Sequence, residues 1–449
     1  MRMSYDEGDV FSSSSTAIRL PLMLFRSFLP RENCASREVK ANVIHRKLYN
    51  SSIARRVTVK VDVQAKDLID YIEKEFGGEA AKTAKEVHER GGKVLGLVSW
   101  NIPEEVLYAA GVLPFRLFGK AQLIEKAHTY LPSWSCSFSR RCLEEALSGE
   151  YDWLDGLIAS KLEDTCIALF YLLKHILKPK FSYLLQIPVL KSELSKEYFV
   201  KEVLNLKNRM EEFMGTAISD DDLRRAIKVY NENRRWLKML YKARKREDFP
   251  LTGADVLKVV ILSMTMPKEE HSKVVRKILE EISELRARRR QESNADKKVK
   301  VHVSGTEVTD LEILQIIEDC GAKIVSDDLN TGTTYFWNEV DEGRDPYDAL
   351  AEHYLFKVPN LLMSKQLSRA VDERIEYIRS LVEEFEADGV VFLVDRGCEV
   401  MGFAYPHLRD GLRKLNIPSV RLDLDYPLPR EHYVTRMRAF VEMVRERSA

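Results

Sequence analysis

The chain has 449 residues, 45% hydrophobic and 31% charged, the balance of a folded protein large enough for more than one core. Lysine plus arginine and aspartate plus glutamate are equal at 70 each, so net charge gives no argument for nucleic acid or an anionic membrane as partner. No apolar run approaches the roughly 20 residues of a membrane-spanning helix; the best candidate, 20–29, is interrupted by Pro21 and Arg26.

Residues 1–16 hold Asp6, Glu7, Asp9 and a run of serines, which is not the pattern of a secretory signal. The cytoplasm is the expected compartment. Periodicity is weak over 1–60, and residues 1–90 are expected to form an N-terminal arm with helices, among them a helical pattern over 65–90 carrying Leu68, Ile69, Ile72 and Phe76. The six cysteines (Cys34, Cys136, Cys142, Cys166, Cys320 and Cys398) are dispersed with no CxxC pair, so a disulfide framework is not expected.

From 91 to 190 strands and helices alternate. Residues 93–99 read as a buried strand, followed by Asn101 as helix N-cap with Pro103, Glu104 and Glu105 in the first turn. A strand over 113–118, a helix over 137–147, a strand over 156–160, a helix over 164–174 and a strand over 183–189 follow. Residues 191–297 are almost wholly helical, with Ser219 and Asp220 to Asp222 capping a long amphipathic helix over 223–244. A second alternating unit covers 298–449, with strands at 299–303, 323–326, 390–394 and 419–424 and helices at 309–320, 367–386 and 407–415. The fold class is therefore α/β: two Rossmann-like parallel-sheet domains with an inserted helical segment and an N-terminal arm.

Several chemistries are absent from the sequence. It has no P-loop, no zinc-protease helix motif and no nucleophile elbow. The dinucleotide glycine fingerprint is also missing, because Gly92 leads into a strand instead of following one. What remains are three donors placed where open α/β sheets collect ligands, beyond the carboxyl ends of strands. Cys398 follows the apolar run 390–394, Glu163 follows the run 157–159 with Cys166 three residues on, and Cys136 precedes the helix over 137–147.

In order along the chain, a set of segments resembles the catalytic subunits of the 2-hydroxyacyl-CoA dehydratase and benzoyl-CoA reductase family, including the D-component of 2-hydroxyglutaryl-CoA dehydratase. They are the stretch 96–119 with Asn101, Pro103, Glu104 and Glu105; Cys136 to Arg140; Tyr151 to Gly156; Ile317 to Ala322; Asp345 to Ala351; Asp388 to Val391; Cys398; and Asn416 to Ser419. The resemblance implies an iron–sulfur cluster, usually 4Fe–4S, held by three cysteines of the subunit. It further implies a heterodimer with a sister subunit, an ATP-hydrolysing activator protein that injects one electron, and a CoA-thioester substrate that passes through a ketyl radical. Dehydratases of the family expel an oxygen substituent, whereas benzoyl-CoA reductases reduce the ring.

Cys136 and Cys398 match the family's first and third ligand cysteines. At the middle position the family reads Cys-Asp, and this chain has Glu163 and Asp164. Either Glu163 ligates iron through oxygen, or Cys166, about one helical turn on, supplies a thiolate. The remaining alternative is a cluster-free, non-catalytic partner subunit. Arg140, Asp164 and the turn at Gly332 are candidates for the surroundings of substrate or cluster, although a solvated helix face, a helix N-terminal acid and a plain turn explain them equally. Cys34, Cys142 and Cys320 are expected to be structural.

Overall fold

The computed structural model describes residues 81–288 and 298–448, all within one compact unit. The expected N-terminal arm and most of the helical pattern over 65–90 lie outside these residues. Helix α1 (Lys82–Glu89) leads into β1 (Lys93–Leu97), α2 (Glu104–Ala109), β2 (Val112–Arg116), α3 (Ser137–Leu147), β3 (Gly156–Ser160), α4 (Asp164–Leu177) and β4 (Phe181–Leu185). Four helices follow: α5 (Glu193–Met214), α6 (Asp220–Arg244), α7 (Gly253–Ser263) and α8 (Lys268–Arg288). The chain then forms β5 (Val299–Gly305), α9 (Glu312–Asp319), β6 (Ala322–Asp327), α10 (Thr333–Phe336), α11 (Pro346–Phe356) and α12 (Ala370–Glu384). It closes with β7 (Gly389–Asp395), α13 (Glu399–Lys414), β8 (Ser419–Leu424) and α14 (Arg430–Ser448).

The strands make two four-stranded parallel sheets, ordered β2-β1-β3-β4 and β6-β5-β7-β8. Both are doubly wound: the chain first moves to one side of β1 or β5 and then crosses to the other. Each sheet thus has a topological switch point, between β1 and β3 and between β5 and β7, where a crevice opens past the carboxyl ends of the strands.

Strands buried on both faces explain the unbroken apolar runs. Along β7, Val390, Phe392 and Val394 pack against α12 and α13, while Val391 and Leu393 face the opposite core with α7, α9 and α14. In the first sheet Leu95 and Leu97 face α2, α5 and α11, and Val94 faces α1 and α3. Each fully buried aliphatic side chain contributes about 1.5–3 kcal/mol. Gly96 is required on the α3 face, because a Cβ there would lie 2.8 Å from Leu154.

The helical stretch does not stand apart from the sheets. Helix α5 covers the first sheet, whereas α7 and α8 join the core of the second. Helix α11, from the C-terminal half of the chain, packs on the first sheet. Two buried cores therefore draw on more than one chain segment. The reciprocal capping box at the start of α6 is present, with Ser219 and Asp222 each bonded to the other's backbone N–H.

Several local readings change. The strand expected over 183–189 is β4, Phe181–Leu185, and α11 is absent from the elements expected from the sequence. Asn101 does not cap α2; Pro103 occupies that position, and the Asn101 amide donates to the Tyr354 carbonyl at 2.8 Å. Helix α13 starts at Glu399 and carries Pro406 inside it, where the sequence suggests a start at His407. The buried stripe Met401, Ala404, Leu408 and Leu412 offsets the hydrogen bond that the proline removes. The closing helix α14 is absent from the elements expected from the sequence. It buries Tyr433, Met437, Phe440, Val441 and Val444 against the second sheet.

Candidate functional site

All three donors singled out in the sequence are helix N-caps. Cys136 caps α3, Glu163 caps α4 and Cys398 caps α13. The Cys136 and Cys398 thiols face the backbone N–H groups of Ser139 and Met401 in the first turns of their own helices, and Glu163 makes no capping bond to α4, so each dipole end favours a negative group there. Helix α3 follows the first sheet's edge strand β2, α4 follows β3 at that sheet's switch point, and α13 follows β7 at the other sheet's switch point.

The two thiol-bearing loops are stitched together. The Ser137 N–H donates to the Arg396 carbonyl at 2.9 Å, and the Ser137 hydroxyl donates to Asp395 at 2.8 Å. Thr306, just past the end of β5, donates to the same carboxylate at 3.2 Å. Gly397 holds a positive φ of 79°, and a Cβ there would meet the Trp134 and Ser135 carbonyls at 2.4 and 2.6 Å. Only glycine lets the Cys398 loop pass this close to the Cys136 loop.

Electrostatics define which groups face one another. Burial, then Asp395 and the Cys398 thiol, push the Cys136 thiol well above its usual range. Burial, then Glu163, raise Cys398 likewise. Burial and the neighbouring Glu307 lift the Glu163 carboxyl to about 7, and burial lifts Asp395 to about 6. Cys136, Cys398 and Glu163 therefore share one environment.

Cys166 meets it through Glu163. Its thiol donates to Glu163 at 3.7 Å, and after burial the charges it feels are Glu163, Glu307, Arg116 and Cys142. Among the described residues no three His, Cys, Asp or Glu side chains converge tightly enough to hold a single metal ion. A cluster sets its protein ligands farther apart than one ion does. The donor set, two thiols and one carboxyl at the ends of three helices, fits two thiolate attachments to such a cluster, with an oxygen donor at the third position.

The other expected residues take bracing positions. Arg140 donates to the Ser135 carbonyl at 3.0 Å, fixing the turn that presents Cys136. Asp164 is exposed in the first turn of α4. Gly332 is closed to any larger side chain by Asp327, whose carboxylate would lie 2.0 Å from a Cβ and accepts from the Thr333 N–H. Cys142, within α3, is fully buried in the core, and the Cys320 thiol meets the Val434 carbonyl at 3.8 Å. An open pocket of about 720 Å³ at the site is lined by Trp134, Asp395, Arg396, Gly397, Cys398 and Phe403, among others.

Sequence reading missed Arg116 and Glu307, which form a buried ion pair at 2.9 Å between the two sheets. It also missed the partners of Glu104 and Glu105. Glu104 binds Lys268 at 3.2 Å and Tyr335 at 2.8 Å; Glu105 binds Arg234 at 2.6 Å and Tyr354 at 2.8 Å. One signal was readable: Arg116 and Asp395 are charged residues that end buried strands, where a solvent-directed charge has no reason to sit.

Two doubly wound sheets that meet through their switch-point loops, with thiols and a carboxyl at helix N-termini between them, define a two-lobed α/β protein with a composite crevice. The chain belongs to the 2-hydroxyglutaryl-CoA dehydratase D-component family, whose model matches residues 99–444. It is 26% identical to the (R)-phenyllactyl-CoA dehydratase beta subunit of Clostridium sporogenes over 80% of this chain and 93% of that protein. It is also 26% identical to one of the benzoyl-CoA reductase subunits of Thauera aromatica, over 76% and 87% of the two chains. The (R)-2-hydroxyglutaryl-CoA dehydratase beta subunit of Acidaminococcus fermentans matches at 26% over 75% and 88%.

Proposed function

We propose that this chain is a subunit of an acyl-CoA dehydratase or aryl-CoA reductase that performs one-electron chemistry on a CoA thioester. The observation that carries this reading is the junction of the Cys136 and Cys398 loops, where Ser137 bonds to Asp395 and to the Arg396 carbonyl, with Glu163 at the start of α4 acting on both thiols. In this reading Cys136 and Cys398 hold an iron–sulfur cluster of the 4Fe–4S type through thiolates and Glu163 through a carboxylate oxygen. Bound there, the cluster supplies single electrons at low potential. Ser137, Thr306 and Asp395 hold the two thiol loops at a fixed separation, and Arg140 fixes the Cys136 turn. The helix N-termini favour the negative charge of thiolates and cluster.

The relatives are themselves subunits of multi-chain enzymes by name, which supports a sister subunit as partner in a heterodimer. The absence of a P-loop from the sequence accords with a separate ATP-hydrolysing activator, and the cytoplasm is the compartment this reading assigns. A second reading is a cluster-free subunit that completes the interface of an active sister chain. The hydrogen bond between the Cys166 thiol and Glu163 favours it, because the carboxyl is already engaged.

The test is iron and acid-labile sulfide content, with an EPR spectrum after reduction, on the complex purified without oxygen together with its sister chain. Cluster signal lost on Glu163→Gln, with turnover of CoA thioesters in the parent complex, supports the first reading. A complex whose only iron resides in the sister chain overturns it in favour of the second.

A further inference from the structure

The carboxyl end of the first sheet gathers four cationic side chains, Arg116, Arg234, Lys268 and Lys357, against Glu104, Glu105, Glu307 and the neighbouring Glu163. Glu104 is engaged by Lys268 and Tyr335, Glu105 by Arg234 and Tyr354, and Glu307 by Arg116. Two cationic donors are left over. Arg116, the last residue of β2, spends one guanidinium nitrogen on Glu307, while its buried Nη1 has no hydrogen-bond partner among the described residues. Lys357, just past α11, makes no ion pair among them; its ammonium lies 5.3 Å from the centre of the Trp100 ring and 4.9 Å from that of Tyr354. Trp100 follows β1 and is partly exposed, as is Lys357, while Arg116 Nη1 lies buried behind them.

The two cations feel each other. Burial, then Arg234, lower the Lys357 ammonium to about 7 against the pull of Glu105 and Glu104, and Arg116 adds to the lowering. A buried donor without an acceptor costs free energy that a ligand oxygen would recover. Arg116 also acts on Glu163, which sets this corner beside the proposed reaction site.

We propose that Arg116 Nη1 and the Lys357 ammonium form one anion-recognition site at the carboxyl ends of β1 and β2, taking a carboxylate or phosphate oxygen of an acyl-CoA thioester. The substrate assignment rests on the proposed function; the anion site itself does not. Trp100 and Tyr354 hold the Lys357 amino group over their ring faces, so an arriving anion, which favours its protonated form, meets a pre-placed donor with little side-chain entropy to lose.

The test measures dissociation constants of free CoA, acetyl-CoA and glutaryl-CoA for the complex with its sister chain, in wild type, Lys357→Met, Lys357→Arg and the exposed-site control Lys365→Met. In parallel, mass spectrometry follows acetylation of Lys357 by acetic anhydride with and without inorganic phosphate or glutarate. Weakening of about tenfold or more in Lys357→Met, largely restored in Lys357→Arg and absent in the control, is expected for loss of a charge-assisted contact. Equal weakening for all three compounds assigns the anion to the CoA phosphates; weakening for glutaryl-CoA alone assigns it to the acyl carboxylate. Wild-type affinity retained in Lys357→Met for every compound overturns the site and leaves the proposed function standing. If wild type binds no CoA compound, the substrate assignment falls, and the labelling decides the site: protection of Lys357 by phosphate or glutarate upholds it, and no protection overturns it.

Discussion

Ser137 donates its hydroxyl to Asp395 at 2.8 Å, and this bond ties the start of α3, next to Cys136, to the end of β7, three residues before Cys398. The two residues belong to different lobes. Their contact turns two separate strand-end loops into one site, and the spacing of the thiols depends on it.

The same junction predicts the behaviour of Gly397. Gly397→Ala places a Cβ against the Trp134 and Ser135 carbonyls and requires a positive φ. Backbone strain of this kind costs about 1–3 kcal/mol, so a lowered melting temperature is expected. The anaerobic complex should also lose iron, because the Cys136 and Cys398 loops are forced apart. Gly402→Ala, where nothing lies within 4 Å of the added atom, should leave iron content unchanged.

Iron content should sort the cysteines. Cys136→Ala and Cys398→Ala each remove a thiolate and should abolish the cluster. Cys166→Ser and Cys320→Ala should retain it, because Cys166 faces Glu163, Arg116 and Cys142 and Cys320 sits against α14. Cys34→Ala, outside the described residues, should also retain it. Equal iron in all five variants would falsify the ligand assignment.

Arg116→Met leaves Glu307 as a charge nearly out of contact with water (side-chain exposure 11%). Removing one partner of such a pair costs about 3–5 kcal/mol. The double change Arg116→Met with Glu307→Leu removes the stranded charge as well and should recover most of that loss. Chemical denaturation of the single and double variants measures both steps.

His271 predicts an acid-sensitive helical region. It is fully buried in α8; Nδ1 accepts from the Asn233 amide at 2.8 Å and Nε2 donates to the Val259 carbonyl at 2.7 Å. Burial lowers its pKa from 6.5 to about 3. The folded state thus stays neutral where the unfolded chain takes up a proton. The His271 contribution is complete above about pH 6.5 and falls as pH drops toward 3, by on the order of 1 kcal/mol per pH unit. Unfolding free energy measured from pH 7 to 4 should fall less steeply in His271→Gln than in wild type.

Much of the architecture was readable because its signals are local. The runs 94–98 and 390–394 are apolar on both faces, which a strand between two helical layers satisfies. Ser219 with Asp222 marked the start of α6 through a capping box closed within one turn. Helix α13 was legible only in part: Pro406 reads as a helix boundary, and the burial that overrides it comes from α12 and β7. Helix α14 offered little amphipathic pattern of its own, since its charged residues are interleaved with those it buries against β8 and α9.

The site was half legible. Cys136, Cys398 and Glu163 could be placed at helix starts from their neighbours alone. The contacts that join the lobes could not, because their partners lie far apart in the chain. Arg116 and Glu307 are separated by 191 positions, and Ser137 and Asp395 by 258. No periodicity or capping rule reaches across such distances.

The sequence by itself determined two parallel α/β units, the order of their strands along the chain and the positions of the donors at helix N-termini. These follow from short-range rules of burial, capping and strand length. The tertiary structure alone brought Glu163 into the electrostatic surroundings of both thiols, with the Cys166 thiol bonded to it one turn on; the packing of α4 against α3, not the local sequence, sets how that turn is oriented. Tertiary packing likewise brings Arg116 within the field of Lys357, where a guanidinium nitrogen and an ammonium have no carboxylate partner among the described residues.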